Sequence, residues 1–546
     1  MAPSVDDLRQ QLRERGYLSH GIERWFALDP LSSRTFWVEL LAVALKGSVL
    51  IALFGALPLV AVMLFRNHPL SAWETFLMTA IYGGAGVLVA FALLVAIALG
   101  LKLRPEMAID TPRVLLAISF AAAGLLALLT AFWWYRFDTR GSITELVTGL
   151  ALVVIFFLMS TVVVSAALLS FSIYELRRVP AIHQKPRGIP MSIAAVVLIA
   201  LLFIPTYAAQ DRPLLPPEQV VTAASQTRVA LIAVDGLTSE IFESKPELRA
   251  LLPHVIRAES IAAESATERW ATVGTGVPTR FHGVRAIEGV RLAGGKHVIQ
   301  SLSRADVVMH RLAEAVGLAR RQPLPPTVRR RAYVWEIFAG RGVPSLAVNW
   351  WTTENINAGG LRSVGQESIF SAAAGGAKQR PAETTALDVD AIAARDLLAN
   401  IDSTHPTFAT AYLPALDVLL NRLGLDQSTR LTTSVQALGG IAEAVKAVRE
   451  RNYDVLLIGL PGDRQKGSAV IASTAAIANR ASAMDVAPTL CTLLGFPASS
   501  EMPGTPIVAD RPQPRITTYG ARTSGPQSGK VNDEYYRNLR SLGYIR

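Results

Sequence analysis

The chain has 546 residues, 51% of them hydrophobic and 18% charged, with 53 Lys and Arg against 43 Asp and Glu and a single cysteine. That apolar share excludes a disordered solvating polymer, and Cys491 alone excludes an intrachain disulfide framework. The net charge of +10 is spread along the chain rather than gathered into a stripe, so no nucleic-acid partner is expected.

Residues 5–28 carry Leu8, Leu12, Ile22, Trp25 and Phe26 at loosely helical spacing among Arg and Glu. This fits an amphipathic helix on the inner membrane surface and, equally, a helix capping a bundle. Five apolar stretches follow, each near the roughly 20 residues a spanning helix needs: Gly47–Phe65, Phe76–Leu101, Val114–Tyr135, Leu146–Tyr174 and Met191–Tyr207. None carries Asp, Glu or Arg at mid-depth, and Lys46 sits at an end, so the bundle reads as an anchor or a surface for lipid or partner helices. Positive residues concentrate before the first stretch (Arg9, Arg13, Arg15, Arg24, Arg34), in the second loop (Lys102, Arg104, Arg113) and in the fourth (Arg177, Arg178, Lys185, Arg187). The positive-inside bias then puts the N-terminus in the cytoplasm. An odd number of spans sends everything after Tyr207 outward, as a multi-pass protein of the cell (inner) membrane with a periplasmic or extracellular domain. The expected division is 1–36 lead, 37–210 membrane region, 211–224 Pro-rich linker and 225–546 exported domain.

In that last domain Val229–Val234 is apolar on both faces, as a buried parallel strand is. Similar runs recur at Ser345–Val348, Phe408–Leu413, Val455–Ile458 and Ala469–Ile471, separated by helical patterns such as Val435–Arg449. The alternation predicts an α/β domain, mainly a parallel central sheet with helices on both faces. Sites in such folds lie beyond the carboxyl ends of the strands, where Asp235 falls. The one basic cluster, Arg329-Arg330-Arg331 with Arg320-Arg321, reads as a solvated loop.

Three segments carry a resemblance: Val229–Gly236, Trp270-Ala-Thr-Val-Gly-Thr275-Gly276 running to His282-Gly283, and Asp485-Val-Ala-Pro-Thr running to Gly495-Phe-Pro. Together they resemble the alkaline phosphatase superfamily in its type I phosphodiesterase/nucleotide pyrophosphatase branch. Two further segments are similar to that branch: Arg331–Gly340 with the aromatic-rich Ser345–Glu354, and the terminal helical segment from Asp533. The resemblance implies two divalent metals, usually zinc, held by carboxylates and imidazoles, with a Ser or Thr between them attacking phosphorus.

Asp235 matches the first ligand of that family, and Gly236 permits the turn over it. The nucleophile position is Ala266 by strict count from Trp270, with Thr267 one step closer; Thr267 stands either as a nucleophile or as the cap of its helix. Asp417 and Asn421 match the Asp-x-x-x-His ligand pair, with Asn in place of His, and the spacing puts both on one helical face. The Asp-His that ends a later strand is replaced by Leu460 and Pro461, and the last histidine of this chain, His405, precedes that strand altogether. Arg464 or Lys466 in the next loop could hold an anion, although a solvated loop is the plainer reading. Of six ligands only Asp235 and Asp417 remain. His254, His282, His297, His310 and His405 read as surface or structural residues, so no cofactor is expected, and a divalent metal (Zn²⁺, or a single Ca²⁺, Mg²⁺ or Mn²⁺) only if the site is active.

Two functions follow as expectations. One is a membrane-anchored pseudoenzyme that binds or assembles, with the lipid bilayer and membrane-protein subunits or further copies of itself as partners. The other is a working phosphodiesterase, phosphatase or phospho-group transferase with an unusual metal site built on Asp235, Thr267 and Asp417.

Overall fold

The computed structural model describes residues 34–66, 70–103, 112–137, 143–172 and most of 227–545, apart from 301–303, 376–379, 463–464, 509–514, 523–532 and a few single positions. The fifth expected span, Met191–Tyr207, the linker 211–224 and nearly all of the N-terminal lead lie outside the described residues. The chain forms two compact units. The first is Met1–Arg212 with Leu292–His297 and Leu302–Ala319; the second is Pro213–Arg291, Val298–Ser301 and Arg320–Arg546.

Four long helices build the first unit: α1 (Arg34–Arg66), α2 (Ala72–Leu103), α3 (Pro112–Phe137) and α4 (Ile143–Ser172). Phe36, Leu40, Ala44, Leu94, Ala98 and Val164 pack inside it. Gly86 allows α1 and α2 to meet, since a Cβ there would lie 3.1 Å from that of Ala52. The outside is apolar as well, with Leu88 71% and Leu128 69% exposed. Among the described residues, two helical stretches are long and apolar enough to cross a bilayer, Phe36–Leu53 and Ala72–Gly100, rather than five. The third and fourth expected spans correspond to shorter apolar helical stretches, Leu116–Leu129 and Val153–Ala167. The first is also displaced, because α1 starts at Arg34 and its apolar window takes in the exposed Lys46, which the sequence put at an end.

The second unit is built on nine strands in the order β12-β2-β11-β10-β1-β9-β6-β8-β7. In chain order these are β1 (Val229–Asp235), β2 (His254–Glu259), β6 (Ser345–Val348), β7 (Ile356–Ala358), β8 (Leu361–Val364), β9 (Phe408–Leu413), β10 (Asp454–Leu460), β11 (Ala469–Ser473) and β12 (Ala481–Ser482). A separate three-stranded sheet pairs β3 (Glu288–Leu292), β4 (Val298–Gln300) and β5 (Ala319–Pro323). Strands β10, β1, β9, β6 and β8 run parallel, while β11 and the edge strand β7 are antiparallel, so the sheet is mixed. Every residue of β1 and β9 is buried, which requires cover on both faces of the sheet. The main helices are α5 (Ala266–Thr275), α6 (Arg304–Ala315, grouped with the first unit), α7 (Ala382–Thr404), α8 (Gln427–Arg449), α9 (Val486–Leu493) and α10 (Asp533–Ser541). Helix α8 begins eight residues before the expected Val435, because Asp426 caps it by accepting from the Ser428 and Thr429 amides at 3.0 Å.

The Asp485-Val-Ala-Pro-Thr motif serves the fold. Asp485 accepts from the Ser482 and Thr505 amides at 2.7 Å, and Thr489 accepts from Ile507 at 3.1 Å, pinning the following loop to α9. The Arg329–Arg331 part of the basic cluster is not a solvated loop, whereas Arg320 is exposed. Arg329 is 2% exposed, pairs twice with Glu336 at 2.6 and 2.7 Å and lies 3.7 Å over the Tyr333 ring, while Arg331 pairs with Glu501 at 2.8 Å. Nearby carboxylates drew these arginines inward, a pairing that composition alone does not reveal.

Candidate functional site

The site gathers at the carboxyl ends of β1, β9 and β10. Asp235 is the last residue of β1 and is 0% exposed. The next residue, Gly236, has φ of 84°, and a Cβ there would fall 2.5 Å from the Asp417 amide nitrogen. Glycine is therefore what lets the two carboxylate-bearing segments touch. Leu460 lies opposite Asp235 in the parallel register and accepts the Gly236 N–H at 2.8 Å. Leu460 and Pro461 are buried, and their side chains offer no donor atom to a metal.

After β9, a helical turn at Ala415–Asp417 opens into a π-helical turn at Val418–Arg422, closed by Leu423 N–H donating to Val418 O at 3.0 Å. The wider turn brings both the fourth and the fifth following residue back to Asp417. Asn421 Nδ2 donates to Asp417 Oδ1 at 2.9 Å, and Arg422 Nε donates to Asp417 Oδ2 at 2.5 Å. The expected Asp417–Asn421 juxtaposition is present, with an arginine added to it. Gln465 Oε1 accepts from Gly462 N–H at 2.9 Å and Asn421 Nδ2 at 3.3 Å, tying the loop after β10 over this turn. A Cβ at Gly462 would lie 1.9 Å from Asp417 Oδ1, so that loop leaves no room above the carboxylate.

Asp235 has its own cation. Arg269 on α5 is 5% exposed, with Nη2 3.7 Å from Asp235 Oδ1, and the Tyr412 hydroxyl donates to Asp235 Oδ2 at 3.0 Å. Burial, then the neighbouring Asp417 charge, lift the Asp235 carboxyl to about 6, against the pull of Arg269, Arg422 and Tyr412. The Arg422 guanidinium lies 4.2 Å over the ring of Tyr544, which burial keeps protonated well above the usual range. The C-terminal Tyr544 also meets Trp351 edge-on at 5.3 Å. Behind Tyr412, Trp270, Trp350, Trp335 and Tyr333 form a continuous aromatic cluster with centroid separations of 4.4–6.2 Å.

Thr267 is not the cap of its helix. Ser265 caps α5, accepting from Glu268 N–H at 3.1 Å and donating to Arg285 O at 2.7 Å. Thr267 sits in the first turn, 1% exposed, and its hydroxyl has no hydrogen-bond partner among the described residues. His282 is structural. Its Nδ1 accepts from Val284 N–H at 3.1 Å and its Nε2 meets Thr272 Oγ1 at 3.0 Å, which sets a neutral imidazole that burial holds at about 3. Lys466 is exposed, and Arg464 lies outside the described residues.

A divalent cation does not fit this donor set. One carboxylate is bound by a guanidinium, the other faces one, the amide at position 421 turns its N–H toward Asp417, and Leu460 and Pro461 present only hydrocarbon. No group of three or more His, Cys, Asp or Glu converges among the described residues. Arg269, Arg422, Tyr412 and Tyr544 were not singled out from sequence.

By its sheet and helices this second unit is an α/β domain with its polar centre at the strand ends. No family model and no curated protein matches the chain. Among solved structures it is similar to a putative sulfatase from Bacteroides thetaiotaomicron (10% identity, 52% of this chain, 74% of that one, TM-score 0.34). It is also similar to an inactive murine ectonucleotide pyrophosphatase/phosphodiesterase 5 in complex with AMP (10% identity, 52% and 97%, TM-score 0.35). A third is phosphonoacetate hydrolase from Sinorhizobium meliloti (9% identity, 44% and 60%, TM-score 0.30).

Proposed function

We propose that the chain is a membrane-anchored relative of the alkaline phosphatase superfamily whose site has lost its hydrolytic chemistry and which acts by binding or assembly, as a subunit of a membrane complex. One observation carries this reading. Asp235 and Asp417, the two carboxylates in metal-ligand positions, are fully buried and matched by the arginines Arg269 and Arg422. A guanidinium neutralises a carboxylate as a metal would, but it has no open coordination position at which to activate water or hold a phosphoryl oxygen. The second reading is a working phosphodiesterase or transferase in which Thr267 is the nucleophile, and the unpartnered hydroxyl of that buried residue favours it.

Metal analysis and bis-aryl phosphate hydrolysis by the purified full-length protein, with Asp235→Ala as control, test the two. Stoichiometric Zn, Mn, Ca or Mg with turnover abolished by Asp235→Ala would overturn the non-catalytic reading; turnover at background in both proteins supports it.

The same proposal includes five spans, a cytoplasmic N-terminus and a periplasmic or extracellular domain. A contact inside the first unit supports that count. Glu74, in the first turn of α2, accepts from the Lys296 and His297 amides at 2.8 and 2.7 Å. Residues 296–297 therefore lie on the side of the membrane where α2 begins. Between the two points the chain must cross an even number of times. In this proposal helices α2, α3 and α4 would each cross once, and the stretch Met191–Tyr207 would supply the fourth crossing.

A further inference from the structure

Helix α6 carries its apolar residues on the wrong side for a protein in water. Val308, Leu312 and Val316, spaced by four, are 56%, 57% and 69% exposed, while His310 and Ala313 are buried. The Val316 amide donates to Leu312 O at 3.2 Å and extends the helical turn past Ala315, and Leu318 beyond it is 38% exposed. Residues four apart stack on one helical face, so these side chains form a single stripe.

The stripe belongs to the first unit, and α6 packs on α2. The segment before it is fixed at the first turn of α2. Trp73 Nε1 donates to Ala293 O at 2.8 Å, and Glu74 takes both backbone N–H groups of Lys296 and His297 and meets His297 Nδ1 at 2.8 Å. Gly294 and Gly295 allow this approach, because a Cβ on Gly295 would fall 2.7 Å from Glu74 Oε1. Trp73 and Phe76, 51% and 54% exposed and stacked at 5.7 Å, stand at the same turn. Exposed aromatic residues at the start of an apolar span mark the level of the lipid headgroups.

We infer that α6 is a membrane-interface helix whose stripe of Val308, Leu312 and Val316 inserts among the headgroups and upper acyl chains of the bilayer that α2 crosses. This rests on the proposed membrane span of α2. The commitment to lipid, rather than to a second protein, comes from continuity. The stripe belongs to the same unit as an outward-facing apolar span surface, and its tether lies at the boundary turn of that span. A helix lying in the interface buries its apolar face about 5–10 Å into the headgroup region, a depth that a single row of such side chains reaches.

The test uses the full-length protein in phosphatidylcholine–phosphatidylglycerol vesicles with an environment-sensitive fluorophore on Leu312→Cys or on Leu88→Cys. The native Cys491 is fully buried and gives little labelling background. Leu88 lies within α2 and reports the span itself. The expected result is a blue-shifted Leu312→Cys probe, shielded from iodide and quenched most by doxyl groups near the lipid carbonyls, with the Leu88→Cys probe quenched most by doxyl groups near the chain ends. Iodide quenching at 312 with lipid quenching at 88 overturns the inference and leaves the span intact. A 312 probe shielded from both iodide and doxyl lipid means that protein covers the stripe, which also overturns it. Absence of lipid quenching at 88 overturns the span reading, and this inference with it.

Discussion

Replacing Arg422 by leucine should unsettle the second unit far more than replacing a surface arginine. Arg422 Nε and Asp417 Oδ2 are 2.5 Å apart, with side chains 5% and 0% exposed, so removing the guanidinium strands a carboxylate in a dry site beside Asp235. Breaking a buried pair from one side costs about 3–5 kcal/mol. A domain of about 320 residues unfolds with an entropy near 2.1 cal/mol/K per residue, so each kcal/mol moves the midpoint by roughly 1.5 °C. The expected fall in Tm is about 4–8 °C, followed by tryptophan fluorescence at a fixed heating rate in mild detergent. Arg395→Leu serves as the control, since that arginine is 69% exposed and paired only with its neighbour Asp396. The double variant Arg422→Leu/Asp417→Leu should recover most of the loss, because it leaves no unpaired charge. A single variant within about 1 °C of the Arg395→Leu control would refute the idea that the arginine neutralises the buried Asp417 carboxylate.

Three further outcomes follow from the same geometry. His282, held at about 3 against an ordinary 6.5, is neutral in the fold, so its contribution is complete above pH 6.5 and is lost as pH falls toward 3. The loss reaches about 4 kcal/mol at the acid end, and His282→Gln should flatten the acid limb of the Tm–pH curve; an unchanged slope would contradict this. Asp390, lifted well above the carboxylate range by burial and accepting from Ala415 N–H at 3.1 Å, contributes stability below its unfolded value of 3.8 that is lost as pH rises through its folded one. Asp390→Asn keeps an acceptor and cannot ionise, so its gain in Tm should be larger near pH 8 than near pH 5, and equal gains at both would count against it. Gly236→Ala adds a Cβ 2.5 Å from the Asp417 amide nitrogen at a φ of 84° and should cost about 3 kcal/mol or more; a wild-type melting curve would mean that the two segments are not in contact.

The sheet was largely legible because its signal is continuous burial. Ser345–Val348 and Phe408–Leu413 were bounded correctly from apolar runs alone; Asp235 was found at the end of such a run, and Asp417 through the resemblance of its segment to a family motif. The antiparallel sense of β11 was not legible, since direction depends on pairing partners rather than on composition. Thr267 was offered as a nucleophile or a cap, but Ser265, two residues earlier, holds the cap; a cap can shift by a residue or two without altering the surrounding pattern. The arginines were the larger omission. With 53 cations in the chain, sequence does not reveal that Arg269 and Arg422 turn inward while Lys466 faces water. The π-helical turn that carries Arg422 to Asp417 depends on a five-residue register that no residue type announces.

The aromatic cluster behind Tyr412 has an optical consequence. Indole and phenol rings held 4.4–6.2 Å apart in fixed, mostly tilted orientations couple electronically, which gives the folded domain a near-ultraviolet circular dichroism signal of its own. Exposed Trp37 and Trp73 in the first unit stand outside that cluster. Loss of the near-ultraviolet signal with far-ultraviolet helicity retained would therefore mark loosened packing of the second unit while the helical bundle persists. The chain thus carries a native spectroscopic tag that separates the fate of its two halves without labelling.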